Sequence, residues 1–189
     1  MARPELTAAF LLLASGAAAQ DLSDLAIEVG RAVELPAHQS LMKMVDEEKS
    51  ALAEFTTDGC SGGMSAVWTY IAANFPKFAE VHSNAPPWVD CCIAHDRDYH
   101  SAGGADEAEA SFDARLKSDE VLRTCVEATA ERRKQELARV YETDETAVIE
   151  TYDAIARAMF HSVRLGGGPC SGLPWRWGYG YPQCPTIFD

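Results

Sequence analysis

The sequence has few basic residues for its length. Lys and Arg together number 16 against 29 Asp and Glu, so the formal net charge of the 189 residues is −13. Binding to a nucleic-acid backbone requires a surplus of Lys and Arg, and electrostatic attraction to anionic lipid requires the same. This deficit argues against nucleic acid as a partner and against strong attraction to anionic lipid, and it is compatible with the binding of divalent cations.

The sequence also lacks an apolar run long enough to span a bilayer. The apolar run over residues 6–13 is too short, but it follows Arg3 and precedes three alanines at 17–19, the pattern of an export signal. We therefore expect residues 1–19 to be a signal peptide and residues 20–189 to form one domain, exported to the periplasm or beyond the cell. The alternative, an uncleaved anchor, is disfavoured by the alanine-rich end.

Strand-like alternation and internal repeats are absent before the C-terminal tail, so we expect a mostly α fold. Apolar residues recur instead at helical intervals. The segments with that periodicity cover residues 21–34 (ended by Pro36), 39–55, 64–75, 87 or 88 to 103, 105–141 and 147–165.

We expect the C-terminal tail to be irregular and to be closed by a pairing of Cys170 with Cys184, and it carries aromatic residues at alternate positions. They are Trp175, Trp177, Tyr179 and Tyr181. In an extended segment they would all point to one side. They would then pack on the helical core, the favoured interpretation, or contact a lipid interface.

The six cysteines lack the spacing of a zinc site or a redox dithiol. An even number of cysteines in an exported chain predicts three disulfides. Zinc sites and redox motifs use C-x-x-C, whereas Cys91 and Cys92 are adjacent. On a helix their side chains point about 100° apart, so they should bond to different elements.

Cys92 and Asp96 would share one helical face, and Cys60 lies in a glycine-rich loop upstream. If Cys92 pairs with Cys60, that loop lies beside Asp96. The main-chain carbonyls of Gly59, Ser61 and Gly63 and the Asp96 carboxylate would then outline a calcium site. The alternative is that Asp96 forms only a surface ion pair.

Cys91, His95 and Tyr99 would share the neighbouring face. If Cys91 pairs with Cys125, two antiparallel helices are linked, and the rise of 1.5 Å per residue places Asp119 opposite His95. Glu120 and Asp113 are the alternative partners, and Tyr99 could hydrogen-bond the same carboxylate. A carboxylate-oriented imidazole is a general base. Because no G-x-S-x-G elbow is present, water is the expected nucleophile.

The pattern Cys91-Cys92-x-x-His95-Asp96-x-x-Tyr99, after a loop containing Asp58-Gly59-Cys60, resembles the secreted phospholipase A2 superfamily over residues 56–126. The resemblance implies a disulfide-stabilised, phospholipase A2-like helical domain with two antiparallel catalytic helices. It implies hydrolysis of the sn-2 ester of glycerophospholipids, at a membrane surface or micelle, with calcium (Ca2+) as cofactor.

The same resemblance implies the disulfides Cys60–Cys92 and Cys91–Cys125 and a role for each site residue. The implied catalytic residues are His95 as base, Asp119 as its carboxylate and Tyr99 as support, and the implied calcium ligands are Asp96 with the carbonyls of Gly59, Ser61 and Gly63.

Three departures from the family pattern keep other functions open. The loop lacks a second cysteine, the cysteine-rich hairpin of the animal enzymes is missing, and the tail is similar to that of bacterial phospholipase-like proteins. The main alternative is a non-catalytic module of this kind that binds calcium, lipid or a protein. A further alternative is an export-associated structural protein or a toxin–immunity component.

Overall fold

The computed structural model describes residues 5–47 (side chains over 25–46), 52–60 and 85–185. Within these ranges the chain is mostly helical and contains no strand, as expected. The helices are α1 (Glu5–Glu47), α2 (Val89–His100), α3 (Ala108–Val140) and α4 (Glu145–Gly166), with a 3₁₀ turn at Ala102–Gly104 between α2 and α3. Over the described part of the chain, no helix is both long enough and apolar enough to cross a membrane.

Among the helices that the structure describes, α3 and α4 form the largest packed pair. Helix α4 begins where the Asp144 side chain accepts a hydrogen bond from the Ala147 N–H at 2.8 Å, which satisfies a free donor of the first turn. The two helices meet along apolar faces predicted from their periodicity, and the buried residues include Val126, Ala130, Leu137, Val148, Ala156 and Met159. Of the predicted catalytic residues, this helical pair carries Asp119, on α3.

Helix α1 corrects the prediction that a first helix ends at Pro36. Pro36 lies inside one continuous helix, because a proline removes a single backbone donor and the next turn is held by tertiary contacts. His38 and Leu41, just after Pro36, are fully buried. Burial of this kind contributes more to helix stability than local propensity does.

The predicted helix over 39–55 is also too long, since α1 ends at Glu47 and residues 52–58 are not helical. Their backbone bonds to the tail instead: the Ala53 N–H donates to the Gly180 carbonyl at 2.9 Å, and the Tyr179 hydroxyl donates to the Thr56 carbonyl at 2.7 Å. The helix predicted over 64–75 lies outside the described residues.

All six cysteines are paired, and the three expected disulfides are confirmed. The Cα atoms lie 5.3 Å apart in Cys60–Cys92, 5.8 Å in Cys91–Cys125 and 5.1 Å in Cys170–Cys184. The adjacent cysteines therefore connect α2 to two different elements, the loop before it and α3 after it.

The C-terminal tail is a series of turns, which confirms that it is irregular, and its four aromatics therefore do not line one side of an extended segment. Gly178 adopts a φ of 75°, which reverses the chain where a side chain would collide with Leu41. Trp177 is fully buried and packs edge-on against the Tyr99 ring, with the centroids 5.0 Å apart. Trp175, Tyr179 and Tyr181 are half-buried, so the tail packs on the helical core.

Candidate functional site

Helices α2 and α3 run antiparallel, and three contacts fix their register. Cys91 bonds to Cys125, His95 contacts Asp119, and Tyr99 contacts Arg115. Residue numbers increase along α2 as they decrease along α3. The disulfide therefore sets which side chains of the two helices face each other.

His95 faces Asp119 as the spacing predicts. The His95 Nε2 atom lies 2.8 Å from Asp119 Oδ1, the Asp119 side chain is fully buried, and that of His95 is 7 % exposed. Both alternative acids point away, since Glu120 is exposed and Asp113 pairs with Arg31 at 2.8 Å. Because an ionised carboxylate can only accept, Nε2 carries the proton. Over the described residues, Nδ1 has no hydrogen-bond partner.

Tyr99 also contacts Asp119, as predicted. Its hydroxyl donates to Asp119 Oδ1 at 2.7 Å. Burial raises the pKa of Tyr99 well above its ordinary value, so the phenol keeps its proton and remains a donor. One carboxylate oxygen thus accepts from both the imidazole and the phenol, which holds the carboxylate and the imidazole in one relative orientation.

Three charged residues that the sequence did not single out complete this buried cluster. Arg164, at the end of α4, donates to Asp119 Oδ2 at 3.1 Å and to Glu34 Oε1 of α1 at 2.6 Å. Arg115 donates to the other oxygen of Glu34 and, at 3.3 Å, to the Tyr99 hydroxyl. The contacts close a ring through Asp119, Arg164, Glu34, Arg115 and Tyr99, which we call the charge ring.

Electrostatics favour the ionised form of Glu34 in the charge ring. Burial alone would raise the pKa of Glu34, but the neighbouring His38 and the positive charges of Arg115 and Arg164 together lower that pKa below its ordinary value. Glu34 is therefore a carboxylate that balances two guanidinium groups. For Arg115 a signal existed in the sequence, because it lies four residues before Asp119 and shares its helical face.

A Ser-His-acid arrangement lies beside the charge ring. His38 Nδ1 is 2.9 Å from Ser111 Oγ, and His38 Nε2 is 3.7 Å from Glu34. Ser111 and His38 are fully buried, and the indole N–H of Trp177 donates to the same serine hydroxyl at 2.9 Å. No substrate can reach this serine, so the contacts join α1, α3 and the tail without offering a nucleophile.

The loop before α2 lies beside Asp96, as expected from the Cys60–Cys92 pairing. The Thr57 hydroxyl donates to Asp96 Oδ2 at 2.5 Å, and the Gly59 N–H donates to Thr57 Oγ1 at 2.9 Å. Burial raises the pKa of Asp96, partly offset by the Thr57 hydrogen bond. The other two expected carbonyl ligands, from Ser61 and Gly63, lie outside the described residues.

A calcium site of the expected kind would use one carboxylate and several main-chain oxygens. Gly59 has a φ of 71°, a conformation that glycine adopts readily and that turns the loop beside α2. Over the described ranges, no group of three or more His, Cys, Asp or Glu side chains could hold a metal ion. The expected site is of another kind, because it combines one carboxylate with main-chain carbonyls. Carboxylate and carbonyl oxygens are the ligand atoms that calcium prefers.

Comparison with protein-family models, with curated proteins and with solved structures finds no match for this chain. Its function is therefore argued from the arrangement of these side chains.

Proposed function

We propose that this protein has a phospholipase A2-like fold and hydrolyses the sn-2 ester of glycerophospholipids with the help of calcium. The observation that carries the proposal is the 2.8 Å contact between His95 Nε2 and the buried Asp119. It is joined by Asp96, on the neighbouring face of α2, beside the loop that Cys60–Cys92 holds in place.

In the proposed reaction His95 is the general base. Asp119 accepts a hydrogen bond from the Nε2–H group and so fixes the tautomer, and Nδ1 is the nitrogen that takes a proton from water. The water oxygen bonds to the carbonyl carbon of the ester while the C=O π electron pair moves onto the carbonyl oxygen, which forms a tetrahedral intermediate with an oxyanion. The carbon–oxygen bond to the glycerol then breaks, and Nδ1 returns its proton to the departing alcohol. The products are a fatty acid and a lysophospholipid.

Asp119 supports this cycle without being protonated itself. While Nδ1 holds the proton, the imidazolium lies against a full negative charge, which stabilises it. The Tyr99 hydroxyl keeps the carboxylate in place during both proton transfers. The chemistry needs no serine or cysteine nucleophile, which agrees with the three disulfides that engage every cysteine.

Asp96 and the carbonyl of Gly59, with those of Ser61 and Gly63, would hold the calcium ion. When bound, the ion supplies positive charge that stabilises the developing oxyanion. The chain's own contribution is to hold the loop against α2, through Cys60–Cys92 and through the Thr57 bond to Asp96. Asp96 would thus help to hold the ion that stabilises the oxyanion, and His95, the adjacent residue, would transfer the proton.

The test is release of fatty acid from phospholipid vesicles and micelles, measured with calcium and with a chelator. We expect release with calcium only, and its loss in His95→Gln and Asp96→Asn. His161→Gln changes an exposed histidine of α4 and is the matched control. Equal release from wild type, chelated wild type and His95→Gln would contradict the hydrolase. Calcium binding without release would identify the non-catalytic alternative.

A further inference from the structure

The geometry points to Arg164 as a positioning residue of the His95–Asp119 pair, held in place by Glu34 of the N-terminal helix. This inference rests on the proposed function for its kinetic consequences. Its structural consequence, the orientation of Asp119, can be measured without any turnover.

Arg164 is the partner of the second oxygen of Asp119. Oδ1 accepts from His95 and from Tyr99, whereas Oδ2 accepts from Arg164 at 3.1 Å. The two donors on Oδ1 already oppose rotation of the carboxylate about its Cβ–Cγ bond, because that rotation moves Oδ1 away from both of them. The Arg164 donor on Oδ2 opposes the same rotation from the other oxygen, so Arg164 helps to fix the plane in which Oδ1 meets the imidazole.

Arg164 is itself held at its backbone and at its guanidinium. Arg115 Nη2 donates to the carbonyls of Val163 at 2.7 Å and Arg164 at 2.9 Å, at the end of α4 where carbonyls lack helical partners. Glu34 accepts from the Arg164 guanidinium at 2.6 Å. The side chain is 14 % exposed, so bulk water competes weakly for these donors.

The charges of the ring balance. Asp119 and Glu34 are negative, Arg115 and Arg164 are positive, and Tyr99 is neutral. Removing one charge leaves an uncompensated ion in a buried site, which destabilises a fold strongly. A simple loss of activity in Arg164→Met could therefore reflect a damaged fold. The double variant of Glu34 and Arg164 separates charge imbalance from the loss of positioning, because removing one negative and one positive charge leaves the charges of the ring balanced.

The test compares Arg164→Met, Glu34→Gln and the double variant with Arg157→Met, which changes an exposed arginine of α4 paired with Asp153. We expect the double variant to recover part of the thermal stability that each single variant loses. We expect Arg164→Met and the double variant to lower kcat by up to about 100-fold, the cost of misplacing a catalytic group, with little change in KM. Recovery of both stability and kcat in the double variant would overturn the positioning role.

A second readout does not depend on catalysis. We expect the Nε2 proton of His95, which is hydrogen-bonded to Asp119, to give a low-field NMR resonance, and the loss of that resonance in His95→Gln would assign it. We expect this resonance to shift or broaden in Arg164→Met and in the double variant, and to stay in place in Arg157→Met. An unchanged resonance in Arg164→Met overturns the inference. If the wild type releases no fatty acid, the proposed function fails while this resonance still decides the role of Arg164.

Discussion

The two disulfides that leave adjacent positions of α2 should have equal effects on stability and different effects on function. Cys60–Cys92 and Cys91–Cys125 join residues separated by 32 and 34 positions. In the chain-entropy treatment, crosslinks of these lengths each stabilise the folded state by about 4 kcal/mol at 25 °C. Replacing both partners of either pair by alanine leaves no free thiol from that pair, so the two double variants form a matched comparison.

The functional difference follows from what each disulfide holds. Cys91–Cys125 sets the register that places His95 opposite Asp119, so its loss should lower kcat even when calcium is saturating. Cys60–Cys92 holds the loop beside Asp96. Its loss should raise the calcium concentration needed for half-maximal release and leave kcat at saturating calcium closer to that of the wild type.

The assay combines urea unfolding with fatty-acid release over a calcium titration, below the melting temperature of both variants. Equal losses of kcat at saturating calcium, with the same calcium dependence in both variants, would refute the separate roles of the two disulfides. Unfolding free energies that differ between the variants by more than about 2 kcal/mol would refute the entropic estimate, which treats the two loops as equivalent.

Three further predictions concern the core around the site. Tyr99→Phe deletes the hydroxyl that donates to Asp119, so we expect the free energy of unfolding to fall by about 1–3 kcal/mol, and an unchanged urea midpoint would contradict this. Gly167→Ala places a methyl group 2.7 Å from the Tyr99 ring, whereas the methyl group of Gly168→Ala meets nothing within 4 Å. We expect only Gly167→Ala to lower the melting temperature, by an amount equivalent to about 1–3 kcal/mol. Equal melting temperatures of the two variants would refute this close packing of Gly167 on Tyr99. Burial lowers the pKa of His38 below its ordinary value of 6.5. As the pH falls below 6.5, the unfolded chain therefore binds a proton at this histidine that the folded chain does not, and the free energy of unfolding decreases. His38→Gln should remove this part of the pH dependence of the urea midpoint, and identical pH profiles in the two proteins would show that His38 makes no such contribution.

The contact between His95 and Asp119 could be predicted because few quantities determine it. A disulfide and the rise of an α-helix fix the register of two helices, so the partner of His95 follows from counting residues from Cys125. Helix α4 was predictable for a related reason: its apolar stripe is continuous, and glycines follow it. In both cases the regular geometry of an α-helix is enough to place the residues concerned.

Other features depend on contacts that no local pattern contains. Glu34 and Arg164 are 130 residues apart in sequence, and neither belongs to a motif. Pro36 has the local character of a helix end, but burial of the following turn keeps α1 continuous. The alternating aromatics of the tail resemble a strand until the left-handed conformation of Gly178 turns the chain.

The hydrogen bonds between the tail and the end of α2 determine when during synthesis this part of the fold can form. The N–H groups of Gly178 and Gly180 donate to the carbonyls of Tyr99 and His100, at 2.6 and 3.0 Å. Because synthesis proceeds from the N-terminus, these donors emerge after all the described helices have been translated. A nascent chain that has already exposed His95 and Asp119 therefore still lacks the groups that complete the end of α2 and cover Tyr99. The arrangement around Tyr99 can therefore form only after residues 178–180 have been translated.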